Sequence, residues 1–101
     1  MHYIYIIHSP KFDKYYVGET VNVTERITQH NTGNYKGAST HFTDDWQLRL
    51  CFTVEDRICA LKVERYIKTM KSKKFIEKLI NEGDFLNGFK RIVLERFGAV
   101  I

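Results

Sequence analysis

A chain of 101 residues, 44% hydrophobic and 28% charged, has the composition of one folded domain over residues 1–101 with a modest core, and that composition argues against disorder. No apolar run approaches the roughly 20 residues of a membrane span, and no secretory leader is expected at the N-terminus. The net charge of +4 and pI near 9.1 favour a polyanion such as nucleic acid, while Cys51 and Cys59 lack zinc-site or disulfide spacing, so reduced thiols and a cytoplasmic location are expected.

The chain opens on two aromatic and β-branched runs around a turn cluster, Y-I-Y-I-I-H-S-P-K-F-D-K-Y-Y-V-G from Tyr3 to Gly18. Strands are expected over 2–9 and 14–19. Pairing Tyr5 opposite Tyr16 leaves 9–12 as the loop and puts both rings on one face. On these residues alone the tyrosines read as a packing pair. A helix should follow from Asn22, an N-cap with Glu25 three residues on, and end before Gly33. Arg26 and His30 stack on one side of it, bordering the apolar positions Val23 and Ile27. A long cation there either has a partner or reaches out to solvent.

Residues 32–45 read as a loop. Tyr35, Lys36, Ser39, Thr40 and His41 would suit a ligand-contacting loop and would equally suit a plain connection. Residues 46–54 alternate, so Trp46, Leu48, Leu50, Phe52 and Val54 are expected on one core-facing side of a strand. From residue 55 or 56 to 71 the period is helical, with Ile58, Leu61, Ile67 and Met70 as the expected buried stripe. Glu64 falls inside that stripe. A buried carboxylate needs a cation, a metal or strong donors, and Arg26 is the obvious structural partner. Ser72 should cap a helix that ends at Gly83, with a turn over 84–87 and a final helix over 88–97. The order β-β-α-β-α-α implies an α+β fold, a small three-stranded, mainly antiparallel sheet flanked by helices.

Tyr5, Tyr16, Arg26, His30 and Glu64 can therefore meet at one sheet face. One carboxylate can hold one hard divalent ion, leaving positions for waters and phosphate oxygens. A guanidinium can stabilise a phosphoryl transition state, and a tyrosine or histidine can orient or deprotonate water. Those are the parts of one-metal phosphodiester hydrolysis.

The pattern resembles the GIY-YIG nuclease family, in its small single-domain branch. Y-I-Y at Tyr3 to Tyr5 and Y-V-G at Tyr16 to Gly18 stand for the two signatures. R-I-T-Q-H-N-T-G from Arg26 is similar to the family's arginine helix, and A-L-K-V-E-R-Y-I-K from Ala60 to its glutamate helix. The resemblance implies an endonuclease dependent on one Mg²⁺ or Mn²⁺ ion and acting on DNA, branched or damaged DNA included. Tyr5, Tyr16 and His30 would position or activate water, Arg26 would stabilise the pentacovalent phosphate, and Glu64 would ligate the metal. Gly18 would allow close backbone approach. Lys36, Ser39, His41, Lys68 and Lys71 are the candidate nucleic-acid contacts. In coordinates, the five catalytic candidates should surround one solvent-open cleft.

Two departures from the family pattern matter. Tyr3 stands where a glycine usually sits, and Glu19 where some relatives carry a lysine. No separate recognition domain is expected within these 101 residues, so target choice is expected to fall to this domain or to a protein partner. Two other readings stay open: a catalytically inactive nucleic-acid-binding module of the same fold, and a structural domain with an internal Arg26–Glu64 pair.

Overall fold

Antiparallel pairing of the two aromatic-rich runs starts the sheet. In the computed structural model, which describes residues 1–33, 40, 42–70 and 72–101, strands β1 (His2–Ser9), β2 (Lys14–Thr20) and β3 (Gln47–Val54) form one sheet in the order β2-β1-β3. Both pairings are antiparallel. The sheet and its flanking helices give the α+β architecture expected from the sequence.

The hairpin register is shifted by two residues from a Tyr5–Tyr16 pair. Ser9 pairs with Lys14, Tyr16 with Ile7, and Tyr5 with Gly18. The turn therefore takes residues 10–13 and closes on Asp13, whose φ of 51° lies in the left-handed region that Asp tolerates. His8 Nε2 lies 2.9 Å from Asp13 Oδ1, and Lys73 pairs with the same carboxylate. An even shift preserves facing, so the two tyrosines still share a side.

A β-bulge overturns the expected alternation of the third strand. Ile6 pairs with Leu50 but Ile7 pairs with Leu48, so Arg49 is the extra residue. Trp46 and Leu48 are thereby turned away from the side that holds Leu50, Phe52 and Val54. Trp46 packs with Tyr5 and Ile7, and Leu48 is exposed.

Central strand β1 is buried on both sides. Ile4 and Ile6 join Val17, Phe52 and Val54 in the larger core, while Tyr5 and Ile7 join Trp46 in the smaller one. Helix α1 (Val23–Thr32) covers the smaller core with Val23 and Ile27. Asn22 Oδ1 accepts from Glu25 N at 3.0 Å to start α1, and Gly33 at φ 74° ends it. Helix α2 (Arg57–Thr69) covers the larger core on the opposite side. Asp56 caps α2 by accepting from Cys59 N at 2.8 Å, which lowers its carboxyl pKa.

The phase of α2 differs from the expected stripe. Ala60, Val63 and Ile67 are buried, whereas Ile58, Leu61 and Met70 are 69%, 45% and 38% exposed. Apolar residues lie on two sides of this helix, so periodicity alone does not choose between them. Burying the Ala60 side brings the helix close to the sheet and leaves Glu64 at the rim of the packed face, where its charge costs less.

The C-terminal helices also depart from expectation. Ser72 caps α3 (Lys73–Asn81) as expected, accepting from Phe75 N at 3.1 Å. The expected turn over 84–87 is helical, because α4 (Gly83–Phe97) begins at Gly83 after the single extended residue Glu82. Phe85, Leu86, Phe89 and Val93 recur at helical spacing and pack on the larger core. Gly88 inside α4 costs about 1 kcal/mol relative to Ala, an amount that the burial of Phe89 exceeds.

The hairpin turn is clasped to the segment before β3 by Asp45. Its carboxylate accepts from Ser9 Oγ at 2.6 Å, Thr43 Oγ1 at 2.5 Å and Lys11 N at 2.9 Å. These bonds, the Ser9 hydroxyl first, hold its pKa down at about 2, against an ordinary 3.8. A carboxyl depressed on folding stabilises the fold above the ordinary value and loses that contribution as pH falls through the folded value. Wild-type Tm should therefore drop between about pH 4 and pH 2, and Asp45→Asn should flatten that part of the Tm–pH curve. Equal acid slopes in the two proteins would contradict the clasp.

Candidate active site

Tyr5 projects from the middle of β1 into a space that Gly18 leaves open. A Cβ on Gly18 would lie 2.4 Å from the Tyr5 hydroxyl. The glycine is required here for room, since its φ is not positive. The close approach expected at Gly18 is thus an approach of the Tyr5 ring to the β2 backbone.

A buried polar chain runs from that phenol. Tyr5 OH lies 2.9 Å from His30 Nε2, and His30 Nδ1 lies 2.7 Å from Thr40 Oγ1. The Thr40 carbonyl accepts from Trp46 Nε1 at 3.1 Å. Asn31, the next residue on α1, binds Trp46 twice: its Nδ2 donates to Trp46 O at 3.0 Å and its Oδ1 accepts from Trp46 N at 2.8 Å. Tyr5 and His30 are 0% exposed and Thr40 is 1% exposed. Burial of this kind is tolerated only when hydrogen bonds replace water, as they do here.

Tyr16 covers that chain on its outer side. Its ring is half-buried, 4.9 Å from the His30 ring and 6.3 Å from the Tyr5 ring, centroid to centroid. Arg26, one turn before His30 on α1, is partly buried. Tyr5, Tyr16 and His30 therefore come together, but Tyr5 and His30 lie behind Tyr16 and do not line a solvent-open cleft.

Glu64 reaches this cluster from the other side of the sheet. Helix α2 packs against the face opposite α1, so Glu64 and the tyrosines do not share a face. They approach across β2, which is an edge strand. The bridge is Lys68: its Nζ lies 2.6 Å from Glu64 Oε1 and 5.4 Å from the centroid of the Tyr16 ring. The Glu64 side chain is 17% exposed and opens onto a cleft of about 660 Å³, lined among the described residues by Leu61, Lys62, Arg65, Lys68 and Thr69. The ion-pair partner seen on Glu64 is thus Lys68, one helical turn away, where the sequence pointed to Arg26. Glu19 is engaged by His2 Nδ1 at 2.7 Å, and the cation beside Tyr16 comes from α2.

Glu64 offers one hard oxygen ligand. Among the described residues no group of three or more His, Cys, Asp and Glu converges. That donor set suits a hard divalent ion that keeps most of its waters and shares phosphate oxygens, and it does not suit zinc. The Lys68 ammonium, one helical turn on, occupies one side of that carboxylate. Lys36, Ser39, His41 and Lys71 lie outside the described residues. Thr40, Asn31 and Trp46 are not among the catalytic candidates read from the sequence. Their roles depend on contacts distant in sequence and carry no local motif.

A sequence model of the GIY-YIG catalytic domain matches residues 1–79, which take in β1, β2, α1, β3, α2 and most of α3. No match was found among curated proteins or among solved structures.

Gly18→Ala places a methyl group against the Tyr5 phenol and should destabilise the fold by about 1–3 kcal/mol, as overpacked cores do. Urea denaturation measures the loss, and in a double-mutant cycle with Tyr5→Leu the two losses should be less than additive. An unchanged stability in Gly18→Ala would contradict the packing of Tyr5 on β2.

Proposed function

The chain belongs to the GIY-YIG family, a membership that supports nuclease activity, and on that premise we propose that it is a DNA endonuclease that hydrolyses phosphodiester bonds with one metal ion held by Glu64. The observation that carries this reading is the span of Lys68 from Glu64 to the face of Tyr16. It brings a carboxylate, a cation and a half-exposed phenol to one edge of the sheet, beside a basic cleft.

Bound Mg²⁺ or Mn²⁺ would supply Lewis-acid polarisation of the phosphate and a clamp for its charge. Of the three candidates for handling the attacking water, Tyr16 alone has a solvent-accessible ring. It is the group placed to take the water's proton, with the Lys68 ammonium 5.4 Å from its ring centroid. Tyr5 and His30 hold Tyr16 from behind and contact no solvent. Arg26 faces the extra charge of the pentacovalent phosphate. Lys62, Arg65 and Lys68 line the cleft beside Glu64 and would receive the flanking phosphates. Lys36, Ser39, His41 and Lys71 are further candidate nucleic-acid contacts. Branched or damaged DNA is included in the proposed substrate class, and a protein partner is a further route to targeting. The second reading is an inactive DNA-binding module, favoured by one observation: the Lys68–Glu64 pair already neutralises the carboxylate.

Incubation with plasmid and branched DNA separates the two. Cleavage should require Mg²⁺ or Mn²⁺ and stop in EDTA. Glu64→Ala and Arg26→Ala should each lower the rate by about 10²-fold or more. Cleavage that survives EDTA or both substitutions would contradict the mechanism. Salt-sensitive DNA binding with no cleavage under any metal would establish the module instead.

A further inference from the structure

We infer that Thr40 is a positioning residue that fixes the tautomer of His30, and so the hydrogen-bond direction of the Tyr5 phenol behind Tyr16; its catalytic consequence rests on the nuclease reading above. His30 is fully buried and both ring nitrogens have a hydroxyl within hydrogen-bond distance, Tyr5 OH at 2.9 Å and Thr40 Oγ1 at 2.7 Å. A neutral imidazole carries one N–H donor and one acceptor nitrogen, so the two hydroxyls cannot both donate.

Acidity decides the direction. A phenol, with a pKa near 10, is a much stronger donor than an aliphatic alcohol. Its oxygen is the weaker acceptor, because its lone pair is shared with the ring. The favoured arrangement has Nδ1–H donating to Thr40 Oγ1 and the Tyr5 hydroxyl donating to Nε2. Thr40 can serve as a fixed acceptor because its own backbone is anchored. Trp46 Nε1 donates to its carbonyl, and Trp46 is held in turn by both side-chain atoms of Asn31. The His30 ring lies 4.9 Å from Tyr16, so the setting of His30 is passed to the wall of the site. Without the Thr40 oxygen the ring proton does better on Nε2, donating to Tyr5, and the phenol must turn its own proton elsewhere.

The test is a long-range ¹H–¹⁵N correlation spectrum of the histidine rings at pH 8, with His30 assigned by the signal lost in His30→Gln. Wild type and Thr40→Ser should show a protonated Nδ1 and an unprotonated Nε2. Thr40→Val should move the proton to Nε2 and lower kcat by about 10-fold or more with little change in KM, while Thr40→Ser stays within about 2-fold. Fluorescence of Trp46, the one tryptophan of the chain, verifies that Thr40→Val remains folded. A wild type with its proton on Nε2, or a Thr40→Val protein with wild-type ring shifts, would overturn the inference. Wild-type protein that cleaves no DNA would overturn the nuclease reading alone, since the ring shifts still decide the role of Thr40.

Discussion

A buried phenol–imidazole hydrogen bond, Tyr5 to His30 at 2.9 Å, is the constraint on which the site depends. It joins the central strand to the first helix across the smaller core. Its geometry needs the missing side chain at Gly18, because the Tyr5 ring occupies the space that a Cβ would take. It also needs Thr40 on the far side of the imidazole. Desolvating three polar side chains is costly, so each must find its partner. The network therefore specifies one arrangement of Tyr5, His30 and Thr40, and Tyr16 packs against its outer side as a consequence.

The second half of the site follows from the edge position of β2. A helix packed on the opposite face can reach the tyrosine side only by extending past a sheet edge. Lys68 has the length to do so, and Glu64 one turn earlier shares its flank of α2. Both remain at the rim because α2 buries Ala60, Val63 and Ile67. Had the helix buried the Leu61 side, the carboxylate would lie in the core, paired and closed to any ion. The exposure of Leu61 and Ile58 thus accompanies the accessibility of Glu64.

Local signals in the sequence were sufficient for much of the fold. Asn22, Ser72 and Gly33 cap helices where their chemistry says they should, since capping depends on a few adjacent residues. The hairpin was legible from its aromatic runs, but its register was not, because both candidate registers put Tyr5 and Tyr16 on one side. The bulge at Arg49 and the phase of α2 were hidden for a related reason. Each segment has apolar residues on two sides, and only packing decides between them. The helical start at Gly83 was masked by glycine and asparagine that read as turn residues, although Phe85 and Phe89 carry the helical period through them. The five catalytic candidates followed from motif order. Their layering, with Tyr5 and His30 behind Tyr16, rests on contacts distant in sequence, as does the role of Thr40.

The central claim is that Tyr16 and Lys68 act as one unit across the edge of β2. A double-mutant cycle on single-turnover DNA cleavage tests it most directly, with Tyr16→Phe, Lys68→Ala and the double variant. Groups that act together are non-additive, so the double variant should be about as slow as the slower single variant. Losses that multiply would show two independent groups and contradict the account.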